Sequence, residues 1–223
     1  LEPFFVELVP STSAEILVPG IGNDKCIRDM FDYGYTHLTA FDYAPEGVEC
    51  AKKLFGADRL KSIDLRVADA RSLPYKDGTY DAVLDKGTLD SIYLSGGKDK
   101  DLARKHLGMA VKELARVLKK GGIAFCVTAA CVDAVQESFD SCNKEAPQTC
   151  WKQIRDGSIY ITDDAIHQTM SMQQCLFGKD YDDIREVKTS STYQSYSERS
   201  TSFSHSLRFL SAAILPSTTI FFD

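Results

Sequence analysis

Four short stretches of this chain place glycine or acid directly after an apolar run: Gly20-Ile21-Gly22-Asn23, Asp42, Asp69 and Asp85. Glycines at 20 and 22 let a backbone approach a bound molecule closely, and the helix start beyond them offers unpaired N–H groups. Asp42 lies 22 positions after Gly20, a spacing at which a strand-end carboxylate accepts both hydroxyls of a ribose. Asp69 is placed to accept the exocyclic amine of an adenine, with neighbouring N–H groups meeting the ring nitrogens. Asp85 comes after three apolar residues, so it belongs at an enclosed rim and suits an ammonium group. Plain structural uses stand beside these: Asp42 as a helix cap, Asp69 as a loop cap and, in the stretch after Asp85, Lys86 as an ion-pair partner and Asp90 as a helix cap. The combination of a glycine turn with a spaced acid raises the ligand-binding reading above the structural one.

A glycine turn and a spaced acid fit a nicotinamide dinucleotide as well as S-adenosylmethionine. The dinucleotide fingerprint needs a third glycine at position 25, which here is Lys25. The fingerprint is incomplete, which disfavours a pyrophosphate-bearing cofactor and a nicotinamide-dependent oxidoreductase.

Positioning these residues takes alternating strands and helices. Glu15 to Val18 reads as a buried strand stopped by Pro19-Gly20. From Asp24, the spacing of Cys26, Ile27, Met30 and Phe31 is helical, and Gly34 stands where a helix ends. His37 to Asp42 is extended, and a helix begins at Pro45, with Val48, Ala51, Leu54 and Phe55 on its apolar side and Gly56 closing it. Ile63, Leu65 and Val67 alternate in a third strand that ends at Asp69. Ala82 to Leu84 form a fourth strand, ending at Asp85. A long helix over 99–119 turns Leu102, Ala110, Leu114, Val117 and Leu118 inward, and Ile123 to Val127 form the next strand. Five such alternations imply the α/β class, a doubly wound and mostly parallel sheet with strand ends gathered at one rim.

The last third reads differently. Val132, Val135 and Phe139 share a helical face, and Trp151–Ile154 with Ser158–Thr162 suit a hairpin. Residues 189–206 hold 11 Ser or Thr in 18 positions, too few apolar groups to offset the entropy of ordering. The expected division is a domain at 1–162 and a Ser/Thr-rich extension at 163–223.

The composition fits a globular chain of 223 residues, 43% hydrophobic and 26% charged. Its net charge of −6 leaves no basic excess for a phosphate backbone, so nucleic acid is not an expected partner. No run reaches the roughly 18–20 apolar residues of a membrane span. The seven cysteines are dispersed without a CxxC pair. They read as reduced thiols in a cytoplasmic protein, with no metal site.

The stretches ILVPGIGND, LTAFDYAPEGVE, VADARSLPYKDGTYDAVLDKGTLDSI and ELARVLKKGG together resemble class I S-adenosylmethionine-dependent methyltransferases. The glycine turn VPGxGN with LDKGTLD further on resembles more narrowly the methyltransferase-like group that includes lysine methyltransferases of elongation factor 1-alpha and of citrate synthase. The resemblance covers residues 1–128 and extends toward 162. It implies a Rossmann-like, seven-stranded sheet whose seventh strand is antiparallel. It implies that Gly20, Ile21, Gly22 and Asn23 line the methionine part of S-adenosylmethionine. Asp42 would bind the ribose with Tyr43 beside the adenine, and Asp69 and Ala70 would meet the adenine edge. Asp85 and Lys86 would bracket the methyl-transfer end, and Asp85 and Asp90 are the candidate catalytic acids. Two positions depart from the group's pattern: Val18 replaces a common acid, as in the narrower group, and Asp24 stands where Ser is usual.

The implied activity is methyl transfer to a protein lysine. A small-molecule acceptor is the alternative, and a methyltransferase-fold binding module without catalysis a further one. The resemblance also implies a cofactor-covering segment upstream of Leu1. The abrupt compositional change past Asp164 suggests an off-frame or alternatively spliced ending, an expectation that comparison of transcript frames would test.

Overall fold

A computed structural model describes residues 2–128, 130–145, 151–162 and 169–179. The chain divides into two compact units, Leu1–Ile159 with Ser171–Ile184, and Tyr160–Met170 with Arg185–Asp223. Of the second unit only the strand ends 160–162 and 169–170 are described. The Ser/Thr-rich stretch 189–206 lies outside the described residues.

The first half of the chain alternates as its sequence predicts. In order come α1 (Glu2–Leu8), β1 (Ile16–Pro19), α2 (Lys25–Tyr33), β2 (Leu38–Asp42), α3 (Pro45–Arg59), β3 (Asp64–Val67) and β4 (Tyr80–Lys86). Next are α4 (Thr88–Leu94), α5 (Lys100–Val117), β5 (Leu118–Thr128), α6 (Val132–Glu145), β6 (Trp151–Thr162) and β7 (Thr169–Lys179). The sheet has seven strands in the order β3-β2-β1-β4-β5-β7-β6. Strands β1 to β5 run parallel, and β7 is antiparallel to β5. This is the Rossmann-like, doubly wound class.

Local chemistry explains the elements that hold the rim. Asp24 caps α2 by accepting the Cys26 N–H at 2.9 Å, and Gly34 ends that helix at φ +126°. The central strands are buried on both faces: Ile16, Leu17, Ala82, Val83, Ala124 and Phe125 are sealed from solvent. One face of α5 (Ala103, Leu107, Ala110, Val111, Leu114) closes over them. Each fully buried Leu or Val contributes about 1.5–3 kcal/mol, which makes this layer the platform for the rim.

Four expectations are corrected by the structure. Trp151–Thr162 is one continuous strand, not a hairpin, and the antiparallel partner of β5 lies past residue 162, at Thr169–Lys179. The third strand is Asp64–Val67, ending short of Asp69, and Leu102, expected to turn inward, is 40% exposed. β3 is the sheet's edge strand, where one neighbour is missing and alternation loses its meaning. Gly56 adopts φ +73° and breaks α3 internally, with residues to Arg59 continuing beyond it.

Candidate functional site

The strand ends of β1, β2 and β4 surround one cavity of about 440 Å³, within the roughly 300–1,000 Å³ typical of small-molecule pockets. Gly20 lines it from the β1 turn, and Phe41, Asp42 and Tyr43 from the end of β2. Ala68, Asp69, Ala70 and Arg71 line it from the loop after β3. Lys86, Gly87 and Thr88 close the β4 side, and Ser91, Ile92 and Ser95 of α4 form the far wall. This is the crevice at the carboxyl ends of the strands, where open α/β sheets bind ligands.

The glycine turn is built into the rim by contact. Gly20 sits at φ +59°, and a Cβ there would lie 2.3 Å from Thr88 Oγ1. The Thr88 hydroxyl donates to the Pro19 carbonyl at 2.9 Å, which pins the turn to α4. The Ile21 N–H donates to the Phe41 carbonyl at 3.0 Å and the Gly22 N–H to Asp42 Oδ2 at 3.0 Å. Asp42 Oδ1 accepts the Ala44 N–H at 2.9 Å. Each oxygen of Asp42 therefore keeps a lone pair free. Its carboxylate packs over Gly47, where a Cβ would come within 2.4 to 2.7 Å of it. The residues present thus form a cradle for a ribose-bearing molecule: an oriented carboxylate, a close-approach glycine turn and a roomy cavity between them.

Of the residues singled out in the sequence, the structure brings Gly20, Asp42, Tyr43, Asp69, Ala70 and Lys86 onto the cavity wall. Ile21 is buried behind the turn, Gly22 holds Asp42, and Asn23 is exposed on the turn's outside. Tyr43 is 70% exposed, presenting an open aromatic face at the mouth.

Asp69 is already engaged. Arg71 grips both its oxygens through Nε and Nη2 at 2.7 to 3.1 Å, and the Arg71 N–H adds a bond at 2.9 Å. This guanidinium hydrogen bond, opposed by partial burial, holds the Asp69 carboxyl below its ordinary range. Arg71 Nη1 also lies 3.3 Å from His106 Nδ1. His37 stays on the surface beside Glu15.

Asp85 and Asp90 lie behind the wall. Asp85 is 1% exposed and Asp90 6% exposed. Asp85 Oδ1 accepts the Thr88 N–H at 3.1 Å. Burial pushes its carboxyl up to about 7, opposed by hydrogen bonds at Thr88 and Leu89 and assisted by the charge of Asp90. Asp90 accepts from the Thr128 hydroxyl, from the Ala130 N–H at 3.3 Å and from the Cys131 N–H at 3.1 Å. It ties α4 to the end of β5 and the start of α6. Tyr93 packs on the core with Lys100 Nζ 5.2 Å from its ring centroid and does not line the cavity.

The cavity residues that sequence reasoning missed are Phe41, Ala68, Arg71, Gly87, Thr88 and, along α4 to its C-cap, Ser91, Ile92 and Ser95. The spacing of the last three, one and four positions, is a helical face, a signal available once Asp90 is placed in a helix. Among the described residues no cluster of metal-ligating side chains occurs, and no helix is long and apolar enough to cross a membrane.

Residues 17–126, which include the cavity, match the methyltransferase domain family. An eEF1A lysine and N-terminal methyltransferase of Danio rerio is 33% identical over 116 residues, covering 52% of this chain and 16% of that protein. EEF1A lysine methyltransferase 2 of Homo sapiens is 30% identical over 115 residues, covering 52% of this chain and 47% of that protein. The chain thus spans less than half the length of either relative. Among solved structures, the N-methyltransferase NodS of Bradyrhizobium japonicum with S-adenosyl-L-homocysteine superposes with a TM-score of 0.58. It is 12% identical, with 80% of this chain and 84% of that chain covered. A SAM-dependent methyltransferase of Methanosarcina mazei gives the same TM-score at 14% identity, covering 76% and 93%. These likenesses show the fold.

Proposed function

We propose, from the premise that residues 17–126 are a class I methyltransferase domain whose cofactor is S-adenosylmethionine, that this chain methylates a lysine side chain of a protein. The observation that carries the lysine is the similarity to relatives named as eEF1A lysine methyltransferases, at 30% to 33% identity across half of this chain. When bound, the cofactor supplies a methyl group on a sulfonium, already activated for displacement by an amine lone pair.

In this reading the protein mainly aligns and dehydrates the reactants. Asp42 holds the ribose with its two free lone pairs, and Tyr43 covers the adenine. Asp69 and Ala70 meet the adenine edge, where the amine shares Asp69 with Arg71. The turn from Gly20 to Asn23 holds the methionine part, and Lys86 stands at the transfer end. Asp85 and Asp90 act from behind the wall, by fixing the Thr88 turn and the start of α6. The α4 wall, with Leu94 56% exposed beside it, is the side from which an acceptor chain enters. The compartment in this reading is the cytoplasm.

The test is methyl transfer from radiolabelled cofactor to a size-fractionated cell lysate, with amino-acid analysis of labelled material. Label recovered as methyl-lysine in protein is the expected result. Label confined to small molecules would replace lysine by a small-molecule acceptor.

A further inference from the structure

Lys86 and Asp24 meet where β4 touches the glycine turn. Lys86 Nζ lies 2.5 Å from Asp24 Oδ2, with side chains only 11% and 17% exposed. Asp24 Oδ1 is committed to the Cys26 N–H at the start of α2. Lys86 itself lines the cavity beside Gly87 and Thr88. Two other ionisable groups stand close. The Cys26 thiol is pushed up to about 11, first by burial and then by Asp24, so it carries no charge near neutrality. Asp85 is the strand neighbour of Lys86, sealed from the cavity.

The pair therefore places one positive and one negative charge, mutually compensated, in a wall with little water. Charges in such a wall act over several ångströms far more strongly than in solvent. S-adenosylmethionine and its demethylated product share every contact except one methyl group and one positive charge. Discrimination between them must come largely from the charge of the wall. An uncompensated Lys86 would repel a sulfonium and spare a neutral thioether. Asp24 removes that penalty.

Resting on the reading of this cavity as the S-adenosylmethionine site, we propose that the Asp24–Lys86 pair is a specificity determinant. It sets the local charge against which the cationic cofactor is bound in preference to its neutral product. Neither residue need touch the reacting atoms for this, since the effect is electrostatic.

The experiment is titration calorimetry of S-adenosylmethionine and S-adenosylhomocysteine against the wild type, Asp24→Asn, Lys86→Met and the double variant. Asn preserves the helix cap through its side-chain oxygen. Asp24→Asn should lower the affinity ratio of cofactor to product by about tenfold, and Lys86→Met should raise it by a similar factor, as a unit charge a few ångströms away implies. The double variant should return to within about threefold of the wild-type ratio, because the two charges are removed together. A purely structural role scales both affinities alike and leaves the ratio still, even in a variant that is partly unfolded. Both ligands binding with an unchanged ratio in all three variants would overturn the proposal and leave the cofactor reading intact. Failure of the wild type to bind either ligand would overturn the cofactor reading and the proposal with it.

Discussion

Asp42 and Asp85 stand at the same sheet rim, on β2 and β4 with β1 between them, yet the fold treats them oppositely. Asp42 is half-buried, faces the cavity and holds two N–H groups with a lone pair left on each oxygen. Asp85 is sealed behind the wall, and burial keeps its carboxyl protonated up to about pH 7. The path of the chain beyond each residue makes the difference. After Asp42 the chain turns outward through Tyr43 and Ala44 into α3, leaving the carboxylate at the cavity mouth. After Asp85 the chain enters the tight Gly87 turn, and α4 folds back over the carboxylate. Two acids at one rim become a cavity-facing group and an internal strut.

Substitutions at the strut side should cost folding, and those at the ligand side should cost binding. The largest effect is expected at the seam between the two sides. Gly20→Ala puts a Cβ 2.3 Å from Thr88 Oγ1 in a left-handed backbone. It should destabilise the fold by about 3–4 kcal/mol, the sum of φ strain and overpacking, read by chemical denaturation. Asp90→Ala strips acceptors from the Thr128 hydroxyl and from the Ala130 and Cys131 N–H groups. The expected cost is about 3 kcal/mol of stability, since buried donors are left unpaired. Loss of cofactor affinity without loss of stability would move Asp90 to the ligand side.

Asp85→Asn sharpens the contrast through pH. The unfolded carboxyl ionises near pH 4 and the folded one near 7. Between these values the native state binds the extra proton, so Asp85 makes the native state progressively less stable as pH rises. The variant lacks this penalty. Its stability relative to wild type should be flat below pH 4, climb between 4 and 7, and plateau above 7 at a gain of about 2–4 kcal/mol. A difference independent of pH would show that Asp85 is ionised at neutrality. Asp42→Ala, in contrast, should weaken S-adenosylmethionine binding by about 2 kcal/mol, because ribose hydroxyls lose their acceptor. Its effect on stability should stay below that, and an unchanged affinity in calorimetry would remove Asp42 from the site.

The sequence makes the parallel part of the sheet legible because its strands are short apolar runs with glycine, proline or acid at their ends, as at Val18-Pro19-Gly20. Cap chemistry is local too, and Asp24 and Gly34 bound α2 where their types predict. β7 is not legible in this way. Its run TMSMQQCLFGK shows neither clean alternation nor an apolar block, and its partner β5 ends about 40 residues earlier. An antiparallel strand at that separation is specified by pairing, which leaves little local mark. Among candidate site residues, Gly20, Asp42 and Asp69 are readable from spacing and the α4 face from its helical period, whereas their meeting with Arg71 at one cavity is decided only when the loop after β3 and α4 are brought together.

By itself, then, the sequence determines the class of fold, the rim where the cavity forms and the residue types gathered there, because periodicity, turn chemistry and strand-end acids are local properties. Tertiary structure alone decides which acid serves which purpose. Exposure, pairing and competing hydrogen bonds depend on distant segments: α4 closing over Asp85, Arg71 gripping Asp69, Lys86 reaching Asp24 across 62 positions. A carboxylate's role depends on its solvation, and solvation is set by the whole fold.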